Sequence, residues 1–471
     1  MEKAIYRPEF HFTAKHGWIN DPNGLIFENG RYHLFYQHYP NATQWGPMYW
    51  GHAVTEDLLH WQHLPLALAP DDLGYAFSGS AAIDRNNISG FGKKGKAPMI
   101  LMYTSHNVMT NLEQQSIAYS TDYIHFEKYK GNPVIKGTPG LNMRDPQIFY
   151  NPYHGGYSMA LAVEEEVVFY KTENFLQWEE TGRFHAGEHG LKGVCECPDC
   201  FPIETEEGTK WVLIVSMIIP PAELRKIPSC ANRTSHITQY YVSDFDGETF
   251  IDTELADDPL LVDYGTDNYA AVSFSGLSKP MIIGWADNWD YANQSPPEEE
   301  GFQGKMTLSR NLKLVKTAEG YRLASSFAAL ENIPAETSWL KSGVHPLDRQ
   351  SFGLKLHGMG TVTFRNSKEE KLIVRIEGKQ IIIDRSQAGK NEFSDIYSLD
   401  RCSRIGIERK ITSIGADPSN AVTEFVFDHC ILEVMADDGL LPATVNVYPE
   451  YAYEQICLED GLEGEIYAVP V

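Results

Sequence analysis

The chain has no stretch able to cross a bilayer as a helix. Its longest apolar run, Trp211 to Pro221, is about half of the ~20 residues that a spanning helix needs. Met1 to Phe12 lacks an apolar signal core and carries charges at Glu2, Lys3, Arg7 and Glu9, so no secretory leader is read there. Positive charge is also scarce. Lys and Arg number 39 against 64 Asp and Glu, a formal net charge of −25. The acids are dispersed rather than run together, and no basic stripe interrupts them. Such a surface repels nucleic acid and anionic membranes, and neither is expected as a partner. Cysteine is sparse and unpaired in pattern: seven residues, at 195, 197, 200, 230, 402, 430 and 457. An odd, clustered set without a secretory signal reads as reduced thiols, and a cytoplasmic location is expected. Cys195, Cys197 and Cys200 supply three sulfurs but no second pair and no H-x-x-x-H, so no structural zinc and no cofactor are expected.

What the chain has in quantity is aromatic and turn-forming residues. Tyr (25), Phe (22) and Trp (9) accompany 38 Gly and 26 Pro, a mixture that suits short strands and tight turns. At 471 residues and 42% hydrophobic, two domains with sizeable cores are expected. Leu25-Ile26-Phe27 and Arg31 to Gln37, joined across Glu28-Asn29-Gly30, predict a hairpin with an Asn-Gly turn.

A repeat follows. Thr55-Glu56-Asp57-Leu58-Leu59-His60-Trp61, Ser120-Thr121-Asp122-Tyr123-Ile124-His125-Phe126 and Thr172-Glu173-Asn174-Phe175-Leu176-Gln177-Trp178 share one order: small polar, acid or amide, apolar, spacer, aromatic. Val242 to Phe250 is a looser fourth copy. Strand-like runs precede the later copies, at Met99–Thr104 with Gln115–Tyr119, Tyr157–Val163 with Val167–Tyr170, and Trp211–Met217 with Ile237–Val242. A loose period of this size in an all-β chain predicts propeller blades around an axis. Five segments open the units: Asn20-Asp21-Pro22, Phe77-Ser78-Gly79-Ser80, Arg144-Asp145-Pro146, Glu196-Cys197-Pro198 and Asp267-Asn268-Tyr269. Five openings predict five blades. Each opening sits near the same end of the central channel, so Asp21, Asp145, Glu196 and with them Asp267 are expected to converge. Proline after an acid stiffens the turn that aims it. Ala324 to Glu331 reads as a short helix in a linker over 324–339, between a propeller over 1–323 and a strand-rich 340–471 that predicts a β-sandwich.

Converging carboxylates beside Trp18, Trp45, Trp50, Phe77 and Trp285 fit a carbohydrate site, because sugar C–H faces pack on aromatic rings. Glycoside hydrolysis needs one carboxylate and one carboxylic acid across the bond. Glu196, in a Cys-flanked and charge-poor stretch, suits the acid. The alternative use of the same acids is Ca²⁺ binding. Arg144 beside Asp145 opposes a cation, and no metal is expected.

Trp18-Ile19-Asn20-Asp21-Pro22-Asn23-Gly24, Phe77-Ser78-Gly79-Ser80, Arg144-Asp145-Pro146 and Glu196-Cys197-Pro198 resemble, in order, the signature motifs of glycoside hydrolase family 32. Trp45-Gly46-Pro47-Met48, Trp50-Gly51-His52-Ala53, Asp263-Tyr264-Gly265, Gly284 to Trp289 and Gly304 to Leu308 are similar too. The resemblance spans the first domain and implies an all-β protein, a five-bladed β-propeller followed by a C-terminal β-sandwich. It implies a retaining β-fructosidase in which Asp21 is the nucleophile, Glu196 the general acid and base, and Asp145 the transition-state stabiliser. It places Trp18, Asn20, Gln37, Trp45, Phe77, Ser78, Arg144 and Trp285 around the fructose. The chain departs from the family pattern at Asp287, Gln303 and Lys305, over Ile218 to Arg233, and at Cys195. These departures bear on the leaving group; for Arg225, Lys226 and Arg233 a solvated loop is expected rather than a phosphate contact. The expectation is an exo-acting β-fructofuranosidase on sucrose and small fructo-oligosaccharides, with no nucleic acid or membrane partner and a homo-oligomer left open. A fructosyltransferase, a sucrose-6-phosphate hydrolase and a non-catalytic fructan-binding module are its rivals.

Overall fold

The computed structural model describes residues 6–226, 234–251, 253, 258–331, 336–408 and 422–470. Strands dominate. The first two-thirds form five sheets, each a sequential antiparallel meander of four strands. Blade one holds β1 (Gly17–Glu28), β2 (Arg31–Tyr39), β3 (Tyr49–Thr55) and β4 (Gln62–His63). Blade two holds β5 (Tyr75–Ile83), β6 (Met99–Asn107), β7 (Leu112–Ser120) and β8 (Glu127–Lys128). Blade three holds β9 (Met143–Asn151), β10 (Gly156–Val163), β11 (Glu166–Thr172) and β12 (Glu179–Phe184). Blade four holds β13 (Val194–Thr205), β14 (Gly208–Ile218), β15 (His236–Phe245) and β16 (Phe250–Ile251). Blade five holds β17 (Tyr269–Ser273), β18 (Met281–Trp285), β20 (Arg310–Thr317) and β21 (Gly320–Phe327). The remaining strand, β19 (Phe302–Gln303), leaves blade five and pairs in parallel with β1, Gly17 opposite Phe302.

The blades close into a ring. The innermost strands touch in the order β1, β5, β9, β13, β17 and back to β1. Strand alternation supplies the adhesive, because successive side chains face opposite neighbours. Leu213, Val215 and Met217 of β14 pack toward blade three, and Val212 and Ile214 toward blade five. Likewise Leu101 packs toward blade one, Ile100 and Met102 toward blade three. Trp18, Tyr269, Ile283 and Trp285 fill the seam between blades five and one.

The first three copies of the sequence repeat prove to be the turns between the third and fourth strands of blades one, two and three. Thr55 Oγ1 accepts from Asp57 N and Leu58 N, while Asp57 Oδ1 accepts from Leu59 N and His60 N. Ser120 with Asp122, and Thr172 with Asn174, repeat the same four bonds. A hydroxyl and an acid or amide two residues on are thus both needed to satisfy the turn's N–H groups. Blade five has no copy; Thr317 to Gly320 turns it more tightly.

The helix expected over 324–331 is not formed. β21 runs on to Phe327, and only Ala328–Leu330 make a single 3-10 turn, so the last blade ends four residues inside the expected linker. Of the rest of that linker, 332–335 lie outside the described residues, and Thr337–Leu340 already pair as a strand of the second domain. The second domain is a sandwich of two six-stranded antiparallel sheets. One contains Ser351–His357, Val422–Asp428, Ile431–Ala436 and Leu441–Asn446; the other contains Gly360–Arg365, Lys371–Ile376 and Gln380–Gln387. Their inner faces share one core around Phe352, Phe364, Ile383, Phe427 and Val434. A buried ionic chain fastens this domain to the propeller. The His11 ring lies between Asp428 and Glu433 at 2.8 and 2.9 Å, and Arg310 bonds Glu433 and Asp263. Of the seven cysteines, Cys230 lies outside the described residues; the other six are free and buried.

Candidate active site

Every innermost strand carries a β-bulge near its start, at the same level of the channel. On β1, Asn20 and Asp21 together oppose Gln37. The same two-against-one mismatch holds Phe77 and Ser78 on β5, Asp145 and Pro146 on β9, Cys197 and Pro198 on β13, and Ala270 and Ala271 on β17. A bulge re-aims one side chain without ending the strand. Three bulge residues have positive φ: Asp145 at 62°, Cys197 at 44° and Ala270 at 54°. The prolines fit because a bulge on an innermost strand asks for fewer ladder N–H donors. The turn expected to aim Asp21 is therefore a bulge within a strand. It lies inside β1, and Gly24 (φ 50°) follows where a Cβ would come 2.8 Å from the Phe35 ring.

The bulges open into a cleft of about 370 Å³, lined by Asn20, Asp21, Gln37, Trp45, Phe77, Ser78, His106, Asn111, Glu113, Asn142, Arg144, Asp145, Glu196 and Trp289. Asp21 is held from three sides. Ser78 Oγ donates to Oδ2 at 2.5 Å, Asn20 Nδ2 to Oδ1 at 3.0 Å, and the Cys197 thiol approaches Oδ2 at 3.7 Å. Burial nevertheless raises the Asp21 pKa, with the charge of Glu196 adding to it and the Ser78 and Asn20 bonds opposing. Asp145 accepts from Cys197 N at 2.9 Å, and the same thiol lies 3.6 Å from its Oδ2. One sulfur thus spans Asp21 and Asp145, and burial with both carboxylates around it keeps that thiol protonated. Asp145 is also pushed upward, by burial first and then by Glu196 and Asp21, against the pull of Arg144. Glu196 receives Arg144 Nε at 3.1 Å on one oxygen and the Tyr269 hydroxyl at 2.5 Å on the other.

Of the sites expected from sequence, Asp21, Asp145, Glu196, Asn20, Gln37, Trp45, Phe77, Ser78 and Arg144 all meet at this cleft. Trp18, Trp50 and Trp285 do not. All three are fully buried, because each packs into a seam between blades. Trp18 instead donates Nε1–H to Asn20 Oδ1 at 2.7 Å and so aims the amide that holds Asp21. Trp18 and Trp285 pack at a tilt against Trp289, which takes the place on the wall expected of Trp285. Asp267 does not converge either. It lies between the domains, bonded to Arg385 at 2.8 Å and to the Tyr291 hydroxyl, and it is Tyr269 from the same opening that reaches the channel. The missed wall residues are Trp289, the last residue of the quoted Gly284 to Trp289 motif, and His106, Asn111, Glu113 and Asn142, which no local pattern marks.

Cys195 and Cys200 point into the core between blades three and four while Cys197 faces the channel, so the three sulfurs do not face one ion. Among the described residues, no three His, Cys, Asp or Glu side chains form a group that could hold a metal. Lys226 pairs with Glu223, and neither Arg225 nor Lys226 lines the cleft. Arg233 lies outside the described residues.

A family model, the glycosyl hydrolases family 32 N-terminal domain, matches residues 11–326. A levanase of Bacillus subtilis (strain 168) is 40% identical over 331 residues, 68% of this chain and 46% of the levanase. An extracellular exo-inulinase of Aspergillus niger is 31% identical over 500 residues, 94% of this chain and 90% of that protein. The crystal structure of an exo-inulinase from Aspergillus awamori matches with a TM-score of 0.85 at 27% identity, covering 99% of this chain and 98% of that one. The chain spans about half the length of the levanases it matches.

Proposed function

The chain belongs to glycosyl hydrolases family 32, and from that membership we propose that it is a retaining exo-β-fructosidase acting on sucrose and small fructo-oligosaccharides. The observation that carries this reading is the convergence of Asp21, Asp145 and Glu196, from three different blades, on one cleft with two aromatic walls. In the first step an Asp21 oxygen attacks the anomeric carbon of a terminal fructosyl unit. The glycosidic C–O bond breaks, and Glu196 gives its proton to the departing oxygen. In the second step water attacks the anomeric carbon, Glu196 takes the water's proton, and the bond to Asp21 breaks. Asp145 lies one sulfur away from Asp21 and is set to bind fructose hydroxyls as positive charge develops on the ring.

Trp45 and Phe77 present apolar faces to the sugar; their rings stand 6.3 Å apart at 67°. The leaving group is read as uncharged. Arg144 is the only Lys or Arg among the described residues lining the cleft, and Glu113 and Glu196 already bond it. Four carboxylates against one guanidinium oppose a phosphorylated leaving sugar. Replacing Asp21 with Asn removes the nucleophile and should reduce fructose release from sucrose by at least ~10⁴-fold. Ordinary turnover in Asp21→Asn sinks the reading. Proton NMR of the first-formed fructose tests stereochemistry, and an α-anomer as the initial product refutes retention.

A further inference from the structure

Arg144 does not serve Glu196 alone. Its Nη1 donates to both oxygens of Glu113, each at 3.2 Å, and to Asn142 Oδ1 at 3.0 Å. Its Nε and Nη2 face Glu196, at 3.1 and 3.0 Å. Glu113 comes from β7 of blade two and is buried on the wall of the cleft. Met143 N donates to its Oε2 at 2.7 Å, and His106 Nδ1 stands 3.4 Å from its Oε1. Burial opposes its charge, yet His106, Arg144 and the Met143 N–H hold the Glu113 carboxyl below its ordinary range, so it is ionised at neutral pH. The His106 ring in turn stacks flat on Phe77, with centroids 4.3 Å apart and planes at 7°. Phe77 shares its bulge with Ser78, the donor to Asp21. A continuous run of contacts therefore leads from Asp21 through Ser78, Phe77, His106, Glu113 and Arg144 to Glu196.

We propose that Glu113, oriented by His106, is a positioning residue for the acid-base step. It turns the Arg144 fork so that its Nε edge meets Glu196, and it takes half of the guanidinium's charge. The charge sharing is what matters chemically. A cation bonded only to Glu196 favours the carboxylate and disfavours the proton that Glu196 must give away. With Glu113 ionised on the other edge, Arg144 holds Glu196 in place at a smaller cost to that proton. The other charged or titratable groups facing this set are Asp145 and Asp21 from β9 and β1, Tyr269 from β17, the Cys195 and Cys197 thiols on either side of Glu196 on β13, and Glu164, which bonds Asn142 from the β10–β11 turn.

The inference rests on reading Glu196 as the acid and base. Glu113→Gln keeps the shape and removes the charge. It should lower kcat on sucrose roughly tenfold to a hundredfold with KM changed less than about threefold, and move the alkaline limb of the kcat profile to lower pH. On β-D-fructofuranosyl fluoride, whose leaving group needs no proton, the kcat defect should shrink to under about threefold. His106→Phe keeps the stack on Phe77 and should give a smaller loss of the same kind. A Glu113→Gln enzyme with unmoved pH limbs, or with equal losses on sucrose and the fluoride, overturns the proposal. Glu196→Gln on the same two donors separates the two readings. If it loses activity on sucrose and keeps fast fructosylation by the fluoride, the acid role stands whatever Glu113 does; if it hydrolyses sucrose normally, the acid role itself fails and the proposal with it.

Discussion

Asp287 and Lys305, two of the positions where the chain departs from the family pattern, turn out to face each other. Ala286 N bonds Lys305 O at 2.8 Å, which sets the two backbones side by side, and Lys305 Nζ lies 4.0 Å from Asp287 Oδ2. Both side chains are fully buried, and neither of these two atoms has a hydrogen-bond partner. At 4 Å two unit charges attract by about 4 kcal/mol at an effective dielectric of about 20. Removing one partner leaves the other charge stranded, a loss of about 3–5 kcal/mol, whereas replacing both costs little. The two single variants should differ in their response to pH. Burial raises the Asp287 pKa to about 6, above its ordinary 3.8. For a carboxyl raised in the folded state, the native form holds its proton longer than the unfolded one, so its contribution to stability is full below about pH 4 and declines as pH rises to about 6. Lys305→Met leaves a group that can neutralise itself by taking that proton, so its penalty should be near 3–5 kcal/mol at pH 8 and at least halved at pH 5. Asp287→Asn leaves a lysine with no such escape, and its penalty should persist at pH 5. The Asp287→Asn, Lys305→Met double variant should lie within about 1 kcal/mol of the parent. Urea unfolding followed by tryptophan fluorescence at the two pH values measures all four proteins. Additive single losses, with coupling below about 0.5 kcal/mol, refute the reasoning, as does a Lys305→Met penalty that ignores pH.

Ser78→Ala removes a hydrogen bond to the Asp21 carboxylate, so the acid limb of kcat/KM, already raised by burial, should move to still higher pH; an unmoved limb in a pH-rate series contradicts this. Thr172→Val deletes a hydroxyl that accepts from Asn174 N and Phe175 N and donates to Gln177 O, and should cost about 1–3 kcal/mol in the same urea assay while leaving kcat unchanged. Sucrose 6-phosphate should be hydrolysed with a kcat/KM at least about tenfold below that of sucrose, and the opposite order would assign the leaving-group side to a phosphate.

Local chemistry made much of the fold legible. Asn29 and Gly30 both take positive φ between β1 and β2, as their hairpin turn requires. The repeated hydroxyl and acid or amide pairs marked the outer turns because each pair satisfies its own neighbours. Features set by tertiary contact were not legible. The helix formers Ala324, Ala328, Ala329, Leu330 and Glu331 suggested a helix, but Ala324 to Phe327 complete the edge of blade five. Trp285 has the chemistry of a sugar platform and the position of a core residue, and only the packing of Trp18, Trp285 and Trp289 against one another tells which ring reaches the cleft. In the fifth opening the acid drew attention, yet the bulge at Ala270 and Ala271 leaves Tyr269 to reach the channel and Asp267 to face the other domain. Glu113 carried no signal because its meaning lies entirely in Arg144, which is distant in sequence and on another blade.

Five sheets each contribute one kinked strand to a single mouth, and this separates what can vary from what cannot. A change in the number of blades, or a one-residue slip in any bulge, would displace an acid from its partners on the neighbouring sheets. The hairpins above the bulges carry no such constraint. The β6–β7 hairpin holds Asn111, and the β2–β3 connection holds Trp45. Substrate preference can therefore drift hairpin by hairpin over generations while the reaction is inherited unchanged, and a designer seeking a new leaving group has the rim to work with and the kinks to leave alone.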